Sequence, residues 1–174
     1  MHSRVSRYSG FSVLNHWITA LLFAVMWALG LAAHDAPDAA EDYIMSIHIA
    51  LGFFVLLFVL WRVALRVYEG FPEPEAGTRI EARLAGWMHR LLLVALVVLV
   101  ISGPLYLFTE GEGMDVFGWF TFYIPMPLGH DVHEAIEEVH GFLGEYLLPI
   151  LVAVHILAAA RHWLGRRDVS PARL

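Results

Sequence analysis

The sequence predicts an all-α fold: an integral membrane four-helix bundle with both termini in the cytoplasm. Three observations support this prediction. The composition is 59% hydrophobic and only 16% charged, well below what is usual for soluble domains. Four apolar segments are each long enough to cross a bilayer. All eleven basic residues are arginines, and they fall on alternate connections between these segments.

Each apolar segment has close to the ~20 residues that a spanning helix requires. The chain is therefore expected to form a single transmembrane domain, residues 1–174, with spans at about 8–33, 43–66, 84–109 and 138–164. The first segment is too long for the apolar core of a signal peptide, so no cleavable signal is expected. We expect Gly103-Pro104 to kink the third helix and Pro149 the fourth.

The charges sort the connections into two kinds. Arginine is confined to the N-terminal segment, the connection between spans two and three, and the C-terminal segment: Arg4, Arg7, Arg62, Arg66, Arg79, Arg83, Arg90, Arg161, Arg166, Arg167 and Arg173. The other two connections, residues 34–42 and 110–138, hold eleven carboxylates and no arginine. The positive-inside rule therefore places the termini and the middle connection in the cytoplasm and the two acidic loops outside.

The long outer loop is unlike a simple connector. Its stretch VFGWFTFYIPMPLG is apolar and aromatic, so we expect it to lie on the membrane surface or to cap the bundle. Residues 131–140 are expected to form a short helix that leads into span four.

Four histidines fall at two depths once the orientation is assigned. His16 and His155 lie near the cytoplasmic face, on spans one and four. His48 and His140 lie near the outer face, on spans two and four. Two pairs at two depths on three helices are the arrangement expected of two bis-histidine sites inside a bundle.

Two imidazoles per site indicate haem rather than a bare metal ion. A closed zinc site needs four protein ligands, whereas haem iron needs only two axial ones. The chain has no cysteine, which excludes iron–sulfur clusters and covalent haem attachment. The prediction is therefore two haem b groups, one with iron held by His16 and His155, the other by His48 and His140.

Other readings of these residues stay open. Each histidine alone also fits a hydrogen-bonded core residue, and His89, at the inner end of span three, is a rival ligand. Glu145 is either an interfacial carboxylate or a proton carrier. Small residues and arginines near the pairs fit either haem contact or ordinary packing and anchoring: Gly52, Gly141, Gly144, Arg62, Arg66 and Arg90.

A quinone site is predicted at the inner boundary. His162 lies seven residues after His155 and so on nearly the same helix face. Together with Arg161, His89 and Arg90 it forms a candidate pocket, where a proton-exchanging group would meet the quinone.

The chain resembles the bacterial cytochrome b561 family, whose members are four-helix di-haem membrane cytochromes. The resemblance covers nearly the whole chain and is carried by RYSGFSVLNHW from Arg7, HIALGFFVLLFVLWRVALR from His48, FGWFTFYIPMP in the outer loop and EEVHGFLGEYLLPILVAVHILAAARHW from Glu137. It implies a location in the bacterial inner membrane. It also implies that the axial ligands are His16, His48, His140 and His155.

The spacing of the last two ligands departs from the family pattern. The family usually separates them by fourteen residues, whereas His140 and His155 are fifteen apart. At 100° per residue they would lie roughly 60° out of phase. We expect a kink at Pro149 or a π-bulge to bring both rings to the bundle axis.

The resemblance implies one-electron transfer across the inner membrane, between the quinone pool of a respiratory chain and an extracytoplasmic donor or acceptor. Short single-chain members oxidise superoxide and reduce ubiquinone, so a superoxide:ubiquinone oxidoreductase is one alternative. A haem-b electron-carrier subunit for a partner redox protein is another, and a haem-free metal carrier is a third. The acidic outer loops favour a basic cytochrome c-like partner over steering of the superoxide anion. Quinone and the lipid bilayer are expected partners, and no nucleic-acid partner is expected.

Overall fold

A computed structural model of the chain describes residues 9–71 and 78–165. The helices are α1 (Gly10–His34), α2 (Asp38–Glu69), α3 (Arg79–Glu110), α4 (His130–Phe142) and α5 (Leu148–Gly165), with a π-helical turn at Leu143–Leu147 joining the last two. The π turn makes α4 and α5 one continuous fourth helical segment. Four segments in the described part are long and apolar enough to span a membrane, which confirms the predicted all-α four-helix fold.

Local signals explain where several helices begin and end. The Ser9 side chain accepts a hydrogen bond from the backbone N–H of Ser12 and so caps α1. Thr78 and Glu81 form a reciprocal capping box at the start of α3. Gly111 ends that helix with a φ of 85°, a left-handed conformation that favours glycine.

Neighbouring helices run antiparallel, which gives the bundle two chemically different ends. Ser12, near the start of α1, contacts Glu69, at the end of α2. His89, in the first half of α3, lies against His155, in the second half of the fourth helical segment. We call this the Arg-rich end, because the described arginines lie on it, and the opposite one, with the connections after α1 and α3, the acidic end. Arg4, Arg7, Arg166, Arg167 and Arg173 lie outside the described residues. The side of the membrane that each end faces stays a prediction.

The aromatic stretch after α3 forms a small antiparallel hairpin, β1 (Met114–Val116) and β2 (Phe120–Phe122). Met114 and Val116 are buried, and Phe53 of α2 lies edge-on to rings of β2. The hairpin thus covers the acidic end of α2, in agreement with the expected cap. The short helix predicted over residues 131–140 is present as α4.

An apolar layer separates the two ends of the bundle. Its buried members come from α3, the π turn and α5: Ala95, Leu143, Leu148 and Leu151. Partly buried apolar side chains, among them Phe23 of α1 and Leu99 of α3, pack against this layer.

The π turn accounts for the fifteen-residue spacing on the fourth segment. It bonds the N–H of Leu148 to the carbonyl of Leu143, five residues back. A turn of this kind takes one more residue than an α-turn, so the rotation between His140 and His155 is reduced. The sequence predicts either a kink at Pro149 or a π-bulge, and the structure contains a π-bulge, just before Pro149.

Candidate functional site

The acidic end holds the first histidine pair. The ring centroids of His48 on α2 and His140 on α4 lie 6.4 Å apart, with ring planes at 81°. The two rings lie nearly perpendicular to each other and do not stack.

Helix α3 orients the His140 ring through two oxygen atoms. The Nδ1 atom lies 3.2 Å from the Leu99 carbonyl and 3.0 Å from the Ser102 hydroxyl, which itself donates to that carbonyl. Both oxygens accept from Nδ1, so this nitrogen carries the ring proton. The Nε2 lone pair is then left for another partner, as in metal-binding histidines whose second nitrogen donates to a carbonyl.

Two glycines lie against the rings at this end, and only Gly103 needs to be small to make room. A Cβ added to Gly103 would lie 3.1 Å from Cε1 of His140, closer than ordinary packing allows. A Cβ added to Gly30 would lie 3.7 Å from the same atom of His48. The sequence predicts a helix kink at Gly103-Pro104. It contains no separate signal that Gly103 contacts the His140 ring.

The second pair lies at the Arg-rich end and repeats the geometry of the first. The centroids of His16 on α1 and His155 on α5 are 6.5 Å apart, with ring planes at 82°. Nη2 of Arg62 lies 3.0 Å from Nδ1 of His16, and the same guanidinium reaches Asn15 at 3.5 Å. Asn15 is fully buried and donates to the Phe58 carbonyl. One pair is therefore supported by neutral oxygens and the other by a guanidinium.

A third histidine adjoins this second pair. His89 of α3 lies edge-on to His155, with 5.4 Å between ring centroids and 69° between planes. Its geometry toward His155 differs from the one that the two matched pairs share. We therefore treat His89 as a neighbour of the His16–His155 pair and not as one of its two members.

The other arginines considered from the sequence have different surroundings. Arg66 is buried and contacts Ser12, Glu69 at 3.4 Å and the Gly70 carbonyl at 3.1 Å, which ties α1 to the end of α2. Arg90 is exposed and donates to the carbonyl of Gly86.

Two members of the predicted quinone pocket lie further along the Arg-rich end. His162 is half-buried, Arg161 is exposed, and both lie close enough to Glu81 of α3 for their charges to act on it. The structure brings His89 against the histidine pair and places His162 and Arg161 nearer the end of the bundle.

The two histidines of the outer loop are paired with carboxylates. Nε2 of His130 lies 3.1 Å from Glu134, and Nε2 of His133 lies 3.4 Å from Glu110. His133 also stacks on Tyr106, with 4.7 Å between ring centroids. His133 lies seven residues before His140, on nearly the same helix face, and this spacing is the sequence signal for its packing.

Fold and site together define a class: a membrane-spanning helical bundle with matched histidine pairs at two depths, the construction of a membrane cytochrome. The sequence model of the prokaryotic cytochrome b561 family matches residues 7–173, and the chain belongs to that family. Its members carry b-type haem and transfer electrons.

Two relatives match this chain over nearly its whole length. It is 30% identical to cytochrome b561 homolog 2 of Escherichia coli (strain K12) over 174 residues, covering 93% of this chain and 88% of that protein. It is 22% identical over 178 residues to a Yersinia pestis protein named probable superoxide oxidase CybB, covering 97% and 95% of the two chains.

Proposed function

We propose that the protein is a di-haem b membrane cytochrome that moves single electrons between the quinone pool at the Arg-rich end and a donor or acceptor at the acidic end. The observation that carries the proposal is the matched geometry of the two histidine pairs, with ring centroids 6.4 and 6.5 Å apart.

The spacing within each pair fits one iron between two imidazoles. With a metal–nitrogen bond of about 2.0 Å on each side, the centroids of two opposed imidazoles lie roughly 6.3 Å apart. Among the described residues no group of three or more His, Cys, Asp or Glu side chains is placed to hold a metal ion. Two protein ligands per site suit haem, which supplies the other four, better than a bare metal.

One ligand of each pair has a defined polar neighbour. Ser102 and Leu99 orient His140 so that its Nε2 lone pair is available. Arg62 donates to Nδ1 of His16 and brings a positive charge that suits a haem propionate, to which it would turn when His16 binds iron through Nε2. Haem b with both axial positions filled supplies a reversible one-electron couple. We infer from the positive-inside rule that the Arg-rich end is cytoplasmic, with the His16–His155 pair on the inner side and the His48–His140 pair on the outer side.

The first experiment is a dithionite-reduced minus oxidised spectrum of the purified protein. We expect a sharp α band of six-coordinate haem b. A protein that binds a metal ion without haem would show no such band.

His89 is the residue best placed to exchange protons with a quinone at the Arg-rich end. We expect His89→Ala to keep both haems and to slow ubiquinone reduction by at least about a hundredfold, the lower end of the range for loss of an acid–base group. Haem content and stopped-flow quinone kinetics are measured on the same preparation. Loss of a haem in His89→Ala would instead identify His89 as an axial ligand.

His162→Ala serves as the comparison, since His162 lies further from the pair. It is expected to retain both haems and to slow quinone reduction less than His89→Ala does. If neither variant slowed quinone reduction, His89 and His162 would both be excluded from the quinone site. The pocket predicted from these two residues with Arg161 and Arg90 would then be wrong.

A bulky substitution of Gly103 is expected to cause selective loss of the haem at the acidic end. A valine side chain there would overlap His140, and overpacking typically costs about 1–3 kcal/mol. We expect Gly103→Val to bind about one haem per chain instead of two, as judged by the haem-to-protein ratio. Gly141→Ala is the matched control, because nothing lies within 4 Å of its added Cβ. Two haems in both variants would contradict the assignment of His140.

The surface of the acidic end favours a basic protein partner. The loops at that end contain eleven carboxylates and no arginine, and two of their histidines, His130 and His133, are paired with glutamates. Such a surface attracts a cationic cytochrome c-like protein and repels an anion such as superoxide. Superoxide oxidation is the second candidate, supported by the name of the Yersinia relative.

The two candidates differ in their salt dependence and their reductant. We expect electron exchange with a basic cytochrome c that slows as ionic strength rises, because salt screens the attraction. Ubiquinone reduction driven by enzymatically generated superoxide, at a rate that salt does not lower, would favour superoxide oxidation instead.

A further inference from the structure

Glu145 is a carboxylic acid near the middle of a membrane-spanning segment. It lies five residues after His140 and ten before His155, which is roughly 7 and 15 Å along the helix. Its neighbour Gly144 packs near Leu99, within a part of α3 that has no charged residue. Ionisable residues at this depth are costly and usually face the interior of a bundle.

Glu145 faces away from the bundle. Its side chain is exposed, and the same side of the segment exposes Phe142 and Tyr146 at 57% each and Ile150 at 59%. Nothing lies within 4 Å of a Cβ added to Gly141, one turn away. We call these five residues the Glu145 face.

The bundle itself does not satisfy this carboxyl group. The hydroxyl of the adjacent Tyr146, on the same face, lies near it. Across residues 9–71 and 78–165, no hydrogen bond or ion pair connects Glu145 to another helix. A polar group from another molecule would lower the free-energy cost of exposing this carboxyl group to lipid.

The π turn is what places this residue on the surface. Glu145 is the central residue of Leu143–Leu147, the five residues that absorb the extra position between the two histidines. Buried Leu143 keeps the inward side of this turn in the apolar layer. The turn thus adds an outward carboxyl group without turning His140 or His155 away from the axis, and π turns within α-helices often mark functional sites.

We propose that the Glu145 face binds a second copy of this chain in the membrane. A twofold axis along the membrane normal brings residues of equal depth together, so Glu145 meets its own counterpart. The Tyr146 hydroxyl donates and the Glu145 carboxyl oxygens accept, so Tyr146 of each copy can donate to Glu145 of the other, and the two residues form a self-complementary polar pair. Gly141 allows the two backbones to approach closely. An unrelated helix would need its own polar group at this depth, which a second copy supplies by symmetry.

Because the chain contains no cysteine, any disulfide that forms must involve an introduced thiol. Phe142→Cys and Ile150→Cys place single thiols on the Glu145 face, while Leu57→Cys and Val98→Cys place them on exposed surfaces of α2 and α3. Disulfides form only where Cα atoms come within about 7 Å. With mild oxidant in native membranes, we expect disulfide-linked homodimers from at least one of the first two variants and none from the controls.

Substitutions of Glu145 then test the polar pair. In the cysteine variant that cross-links, Glu145→Leu is expected to abolish most of the homodimer, whereas Glu145→Gln keeps it because the amide oxygen can still accept from Tyr146 of the other copy. Light scattering in nanodiscs should give two chains per particle for the unsubstituted protein and one for Glu145→Leu, with the haem spectrum unchanged as a check on folding. Single-chain particles of the unsubstituted protein, equal cross-linking at control positions, or disulfides only to other proteins would overturn the proposal.

Discussion

His140→Ala and His48→Ala are each expected to bind one haem per chain, and their reduced spectra should match each other. Their rings face one another at 6.4 Å, so loss of either removes half of the same ligand pair. His16→Ala and His155→Ala should likewise share a second residual spectrum, because their rings form the other pair. The haem-to-protein ratio and the α-band position are measured for all four variants.

Double substitutions test the pairing more strictly. Residues that act as one site are non-additive, so His48→Ala/His140→Ala should lose no more haem than either single change. His140→Ala/His155→Ala should lose both haems, since it breaks both pairs. His130→Ala, an exposed histidine paired with Glu134, is the control and should keep two. The pairing is wrong if His140→Ala instead matches the spectrum of His16→Ala or His155→Ala.

Deleting Glu145 is expected to leave both haems bound, although it shortens a membrane helix between two ligands. The π turn already contains one residue more than an α-turn, and the deletion lets Leu143–Leu147 become ordinary α-helix. His140 and His155 are then fourteen residues apart and fall roughly 40° short of four full turns. That is close to the phase an α-helix needs to present both rings to the bundle, and haem stoichiometry measures the outcome.

A deletion in regular α-helix supplies the contrast. Removing Val97 from α3 rotates the residues that follow by roughly 100° relative to those before it. Ser102 and Gly103 then leave the His140 ring while His89 stays near His155, so we expect loss of at least the haem at the acidic end. Similar haem loss in both deletions would show that the π turn does not absorb the extra residue.

Much of the fold could be predicted because membrane burial leaves strong one-dimensional signals. Apolar runs define the helices, and the alternation of arginine with carboxylates orders them end to end. Depth follows from that order, and depth alone suggested that His48 lies opposite His140. The structure brings these two rings together, and His16 and His155 as well.

The local supports of the site depend on rotation about helix axes, which depth does not specify. Whether Ser102 or Gly103 meets His140 depends on the packing angle of α3 against α4. The same holds for Arg62, which the sequence allowed as a propionate partner or an anchor and which lies against His16. The sequence predicts that the stretch around residues 114–122 lies on the membrane surface or caps the bundle. It does not predict the hairpin, because the strand pairing depends on a turn at Phe117 and Gly118, both with positive φ.

The central claim is two bis-histidine haem sites in one chain, and the most direct test is the haem-to-protein ratio of the unsubstituted protein in native-like lipid. The proposed pairs require two haem b per chain, both low-spin and six-coordinate. A fully loaded protein with one haem, or with a high-spin haem that binds carbon monoxide readily at an open axial position, would contradict it.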